Sequence, residues 1–128
     1  MTTPPITEEI IETIIYINKL IALNEFERLE EEELITQVKP EHLRTALRDY
    51  FNSSNWPSDL SHISPPTKGY ILTDSITIFT NPKTPSISSW MIELDIIIDN
   101  KPSDLTAIYS ISTTGTTSKI DLYAIITQ

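Results

Sequence analysis

Cysteine is absent from the 128 residues, which excludes a disulfide scaffold, a Cys-ligated zinc or iron-sulfur centre and a thiol nucleophile. Glycine is nearly absent, with only Gly69 and Gly115. A loop that cradles phosphate needs several residues free of a Cβ, so nucleotide hydrolysis of that type is excluded too. There is no Gly-x-Ser-x-Gly elbow and no His-Glu-x-x-His helix. No apolar run approaches the ~20 residues of a membrane span, and Met1-Thr2-Thr3-Pro4-Pro5 offers no basic stretch before an apolar one. These absences lead us to expect a cytoplasmic protein without membrane contact.

Positive charge is also scarce. Nine Lys and Arg stand against 18 Asp and Glu, for a net charge of -9. Such a field repels phosphate backbones, so no nucleic-acid partner is expected. The excess is densest at Glu25, Glu27, Glu30, Glu31, Glu32 and Glu33, where only Arg28 offsets it. As a solvated helix face the run only keeps the chain in solution. As a contact surface it suits a basic partner, and it raises association rate more than affinity.

The length is that of one domain, taken here as 1–128. Ile10, Ile14, Ile17 and Ile21, flanked by Ile11, Ile15 and Leu20, recur at helical spacing, with Thr7 placed to cap and Glu8 and Glu9 at the positive end of the dipole. Asn24-Glu25-Phe26-Glu27 reads as a capping box that restarts a helix. Pro40 suits the first turn of a third helix, on which Leu43, Ala46, Leu47, Tyr50 and Phe51 share a face. Helices are thus expected over about 6–51, and a Pro- and Ser-rich loop over 52–68.

From Gly69 the rhythm changes to alternation. Trp90, Ile92, Leu94, Ile96 and Ile98 fall on one side, and Met91, Glu93 and Asp95 on the other. Similar strands are read at Tyr70 to Phe79, Leu105 to Ser112 and Lys119 to Thr127, with turns at Asn81 to Ser86, Asp99 to Ser103 and Thr113 to Thr117. Such short connections force antiparallel neighbours. The fold class is therefore α+β, with N-terminal helices packed on a four-stranded antiparallel meander over 69–128.

Candidates for chemistry are few. His42 and His62 lack the two further ligands of a metal site, so no metal and no cofactor are expected. Either could act as a general base if a loop folds over a pocket. Strict alternation aims Asp74 into the apolar layer unless a bulge turns it outward. With Tyr109, these three residues form a candidate ligand pocket. Trp56 is either an anchor over the core or an exposed handle, and with Glu30, Glu31, Glu32 and Glu33 it makes the candidate interaction set. Glu93, Asp95 and Asp121 read as ordinary sheet surface.

Three helices followed by a meander ending in Ser118-Lys119-Ile120-Asp121-Leu122-Tyr123-Ala124-Ile125 resembles the nuclear-transport-factor-2-like superfamily of cone-shaped α+β domains. The resemblance implies a cavity between helices and sheet but no particular use for it. The stretch from Trp90 to Asp95, then Pro102-Ser103-Asp104-Leu105-Thr106 and Ile120-Asp121, also resembles a group of uncharacterised bacterial domains. On these readings the leading expectation is a non-catalytic binding module that engages a protein partner or pairs with itself as a homodimer through the sheet. The alternatives are a small-molecule pocket, enzymatic or not, and an immunity protein against a basic toxin.

Overall fold

The computed structural model describes residues 6–80, 87–114 and 117–127. The elements run α1 (Glu8–Ala22), α2 (Phe26–Glu31), α3 (Pro40–Phe51), a 3-10 helix (Ser58–His62), β1 (Ile63–Ser64), α4 (Lys68–Asp74), β2 (Ile76–Thr80), β3 (Ile87–Ile98), β4 (Lys101–Thr114) and β5 (Thr117–Thr127). Helices come first and an antiparallel sheet follows, which is the expected α+β order.

Thr7 is extended and its hydroxyl accepts from the Ile10 amide at 3.2 Å, so α1 begins where the sequence placed its cap. Its β-branched isoleucines disfavour a helix in isolation, and packing compensates: Ile10, Ile14, Ile17 and Ile21 are buried. Pro40 opens α3, and Asn52, in the left-handed region at φ 44°, ends it. The capping box at Asn24 does not form. Asn24 has φ 60°, outside the extended conformation a cap requires, and α2 starts from Glu25 without a side-chain cap.

Strands β3, β4 and β5 form the body of the sheet, paired Trp90 to Ile111 to Ile120 and Ile92 to Tyr109 to Leu122. The β3–β4 hairpin turns on Asp99 and Asn100, both at positive φ as a tight primed turn demands. In β5, Tyr123 is the extra residue of a bulge, since Tyr109 opposes Leu122 while Ile108 opposes Ala124. The bulge lets Leu122 and Ile125, three apart, both point inward.

The expected loop and first strand need correction. Within 52–68 the chain forms the 3-10 helix and β1, and Tyr70 to Asp74 belongs to α4 rather than to a strand. Extended Thr67 caps α4 by accepting from the Tyr70 amide at 3.1 Å. Ile71 is fully buried and Leu72, Thr73 and Asp74 are exposed, three in a row where a strand would alternate. β1 and β2 both pair with the same edge of β3, β1 opposite Ile97 and Ile98 and β2 opposite Trp90 to Glu93. They act as one edge strand interrupted by residues 65–75. The turn expected at Asn81 to Ser86 lies outside the described residues, and of the one expected at Thr113 to Thr117 residues 115–116 do, while Thr113 and Thr114 belong to β4 and Thr117 to β5.

One contiguous core joins the layers, formed by the α1 stripe, Phe26, Leu29, Leu43 and Leu47 with Trp90, Ile92, Leu94, Ile96, Leu105, Tyr109, Ile111 and Leu122. Trp90, Ile92, Leu94 and Ile96 face the helices as their alternation predicts.

Candidate functional site

The four pocket candidates are not brought together. His42 lies exposed in the first turn of α3, and His62 ends the 3-10 helix. Asp74 closes α4 in contact with solvent, so it faces outward from a helix end and not from a bulge in the expected strand. Tyr109 is 1% exposed inside the helix–sheet interface. That interface is filled by side chains, Ile14, Ile17, Ile21, Ile92 and Leu122 among them. Tyr109 serves packing there: its hydroxyl accepts from Asn18 Nδ2 at 2.9 Å, while the same amide donates to the Ile14 carbonyl at 2.8 Å. Burial pushes its phenol far above the ordinary tyrosine range, against a smaller lowering by Asn18.

His62 has a structural partner. Its Nδ1 is 2.6 Å from Asp99 Oδ1, and its carbonyl accepts from the Asp99 amide at 2.9 Å, so the β3–β4 turn is tied to the 3-10 helix. Among the described residues no cluster of three or more His, Asp or Glu could hold a metal ion.

The interaction candidates divide. Trp56 is partly buried against the core with its ring 6.4 Å from that of Phe51, as an anchor. Glu30 to Glu33 are exposed, but they occupy the end of α2 and the turn after it rather than one helical face, because Glu33 adopts φ 58°. Glu30 pairs with Lys39 at 3.5 Å. Glu32 accepts from Tyr16 and pairs with Arg28 at 3.1 Å, and its hydrogen bond is the main cause of a raised Tyr16 phenol. Grooves open on the surface among the described residues. One of about 210 Å³ lies between Glu9, Thr13, Glu32, Glu33 and Lys119, and one of about 250 Å³ lies between Pro65, Pro66, Tyr70, Ile97 and Pro102.

The face of the sheet turned away from the helices is the feature that sequence reasoning passed over as ordinary surface. Strand pairing sets Met91 beside Ser110 and Asp121, Glu93 beside Ile108 and Ala124, and Asp95 beside Thr106 and Ile126. Ile76 extends the second row across β2. All of these except Thr106 keep contact with solvent, and Ile76, Tyr123 and Ile126 are 59%, 43% and 40% exposed. Thr106 is buried and donates to Asp95 Oδ1 at 3.0 Å, and Asp121 Oδ2 accepts from Thr36 at 2.8 Å, which fixes two of the three carboxylates. At one corner the Tyr70 phenol is raised, first by burial and then by the charges of Asp95 and Asp74. The result is an apolar field of isoleucine, methionine and alanine threaded with fixed negative charge. The early signal for it was the polar half of the β3 alternation.

No protein-family model, no curated protein and no solved structure matches this chain. No helix among the described residues is long and apolar enough to cross a membrane.

Proposed function

We propose that the protein is a non-catalytic interaction module whose open sheet face docks a cationic protein partner. The observation that carries this reading is the outer face itself, where exposed Ile76 and Ile126 lie among Glu93, Asp95 and Asp121 on a chain of net charge -9. Apolar area supplies affinity, while the carboxylates steer a basic partner and select against acidic ones. A side-chain-filled interior and the separation of His42, His62, Asp74 and Tyr109 favour binding over a small-molecule pocket. Helices followed by an antiparallel meander also support placing the chain among the nuclear-transport-factor-2-like cones. A cytoplasmic setting and, in its narrowest form, neutralisation of a basic toxin are compatible with the same surface.

The test is affinity capture from the source cell with three baits: the native chain, the outer-face variant Ile126→Lys with Asp121→Lys, and the ridge variant Glu30→Lys with Glu31→Lys. The expected result is a basic protein retained by the native and ridge baits, lost from the outer-face bait and released by salt. Retention that ignores the outer-face changes but disappears with the ridge changes moves the site to the acidic ridge and overturns the assignment.

A further inference from the structure

Every antiparallel sheet that is not closed has two edges, and this one treats them differently. Along β5 the middle of the edge is engaged: the Leu122 amide donates to the Leu34 carbonyl at 2.8 Å, and Thr36 holds Asp121. Along β3 the first part of the edge is also blunted, because β1 is two residues long and runs directly into Pro65-Pro66, which offer no N–H. What remains is β2. Among the described residues it pairs with β3 alone, so its other side presents unpaired backbone donors and acceptors.

The strand Ile76-Thr77-Ile78-Phe79-Thr80 is five residues long with a register shift between Thr77 and Phe79, but it has no protective side chain. It contains no lysine, no proline and no charge of any kind, and its residue types are those most at home in a sheet. Its first residue, Ile76, and nearby Leu72 are 59% and 52% exposed, among the largest apolar exposures of the described residues. We propose that β2 is a self-pairing edge, which joins antiparallel to β2 of a second copy and makes one continuous sheet across a two-fold axis.

Charge selects the occupant. Two chains of net charge -9 repel wherever their acidic surfaces approach, whereas a strand without charge brings none to the contact. A cationic partner gains nothing at such an edge and is served by the outer face instead. Antiparallel pairing of a strand with its own copy is self-complementary by symmetry, so every bond made by one chain is returned by the other. The two-fold contact uses the β2 edge of both copies, and the β5 edge is engaged at Leu122, so growth stops at two copies.

The experiment is sedimentation equilibrium of the full chain over a wide concentration range, joined to amide hydrogen exchange at the two ends of that range. The expected species is a dimer, with β2 amides exchanging more slowly as concentration rises and those of β5 unaffected. Ile76→Lys, which puts a charge on an edge that carries none, should weaken association roughly tenfold or more, while Leu23→Lys, at an exposed residue after α1, should leave it unchanged. Thermal unfolding of Ile76→Lys at low concentration checks that the monomer remains folded. A monomer at every concentration overturns the proposal. So does an assembly larger than two, or a dimer indifferent to Ile76→Lys whose β2 exchange does not change with concentration.

Discussion

Asn18 in α1 and Tyr109 in β4 meet at 2.9 Å inside the core, and the same Asn18 amide holds the Ile14 carbonyl at 2.8 Å. The pair is a polar link between the helical layer and the middle of the sheet. Both residues are almost fully buried, at 2% and 1% exposure, so neither can exchange its partner for water.

Tyr109→Phe removes one buried hydrogen bond and leaves the amide its bond to Ile14, so it should cost about 1 kcal/mol. Asn18→Leu strands the phenol without a partner and should cost more, about 1–3 kcal/mol. The double variant should be less destabilised than the sum, since the stranded group is gone. Urea unfolding of the four proteins measures all three quantities, and strict additivity would contradict the link.

The same phenol makes a pH prediction. Its ionisation is pushed up in the folded state, so its contribution to stability is complete below the ordinary tyrosine range and is lost as pH rises through the higher folded value. Spectrophotometric titration should show Tyr109 absent from the folded-state transition and appearing only with alkaline unfolding, a difference that Tyr109→Phe abolishes. A Tyr109 signal titrating in the native protein near the ordinary tyrosine value contradicts its burial.

Arg44 should matter more than Arg28, although each makes ion pairs. Arg44 lies 5.0 Å over the Phe26 ring, donates to Asn24 Oδ1 at 3.2 Å and pairs with Glu27 at 2.8 Å. Its stem packs as well as its charge, so Arg44→Ala should lose about 1–2 kcal/mol, whereas Arg28→Ala, fully at the surface, should change little. Glu27 is held below the usual carboxylate range chiefly by its hydrogen bond from Arg44, and next by its own backbone amide. Its stabilising share is therefore present above the unfolded-state value and fades as pH falls through the folded one. Arg44→Ala should shrink that acid-side loss, measured as melting temperature against pH.

Much of this arrangement was readable in the residues, and what was missed has physical reasons. The α1 stripe, Pro40 at the head of α3 and the alternation of Trp90, Ile92, Leu94 and Ile96 are long enough for their period to declare itself. Helix α4 spans only Lys68–Asp74, too short for Tyr70, Ile71 and Leu72 to distinguish a period of two from one near three and a half, although the Thr67 cap after Pro65-Pro66 was a signal. The Tyr123 bulge depends on pairing with β4 and leaves no local mark. Asn18 was visible as a polar residue inside an apolar stripe, but its partner stands 91 positions away. The outer face appeared as the polar side of β3, and only strand register showed Ile76, Ile108 and Ile126 gathered around its carboxylates.

Hydroxyl-radical footprinting of the native chain, free and with its captured partner, examines the two faces of the sheet most directly. In the free protein Met91, Tyr123 and Ile126 should oxidise while Trp90, Ile92 and Tyr109 stay protected, and the partner should shield the first group. Oxidation of Trp90 and Tyr109 in the free chain, or a partner that leaves Met91, Tyr123 and Ile126 as reactive as before, would contradict an inner face sealed by helices and an outer face kept for binding.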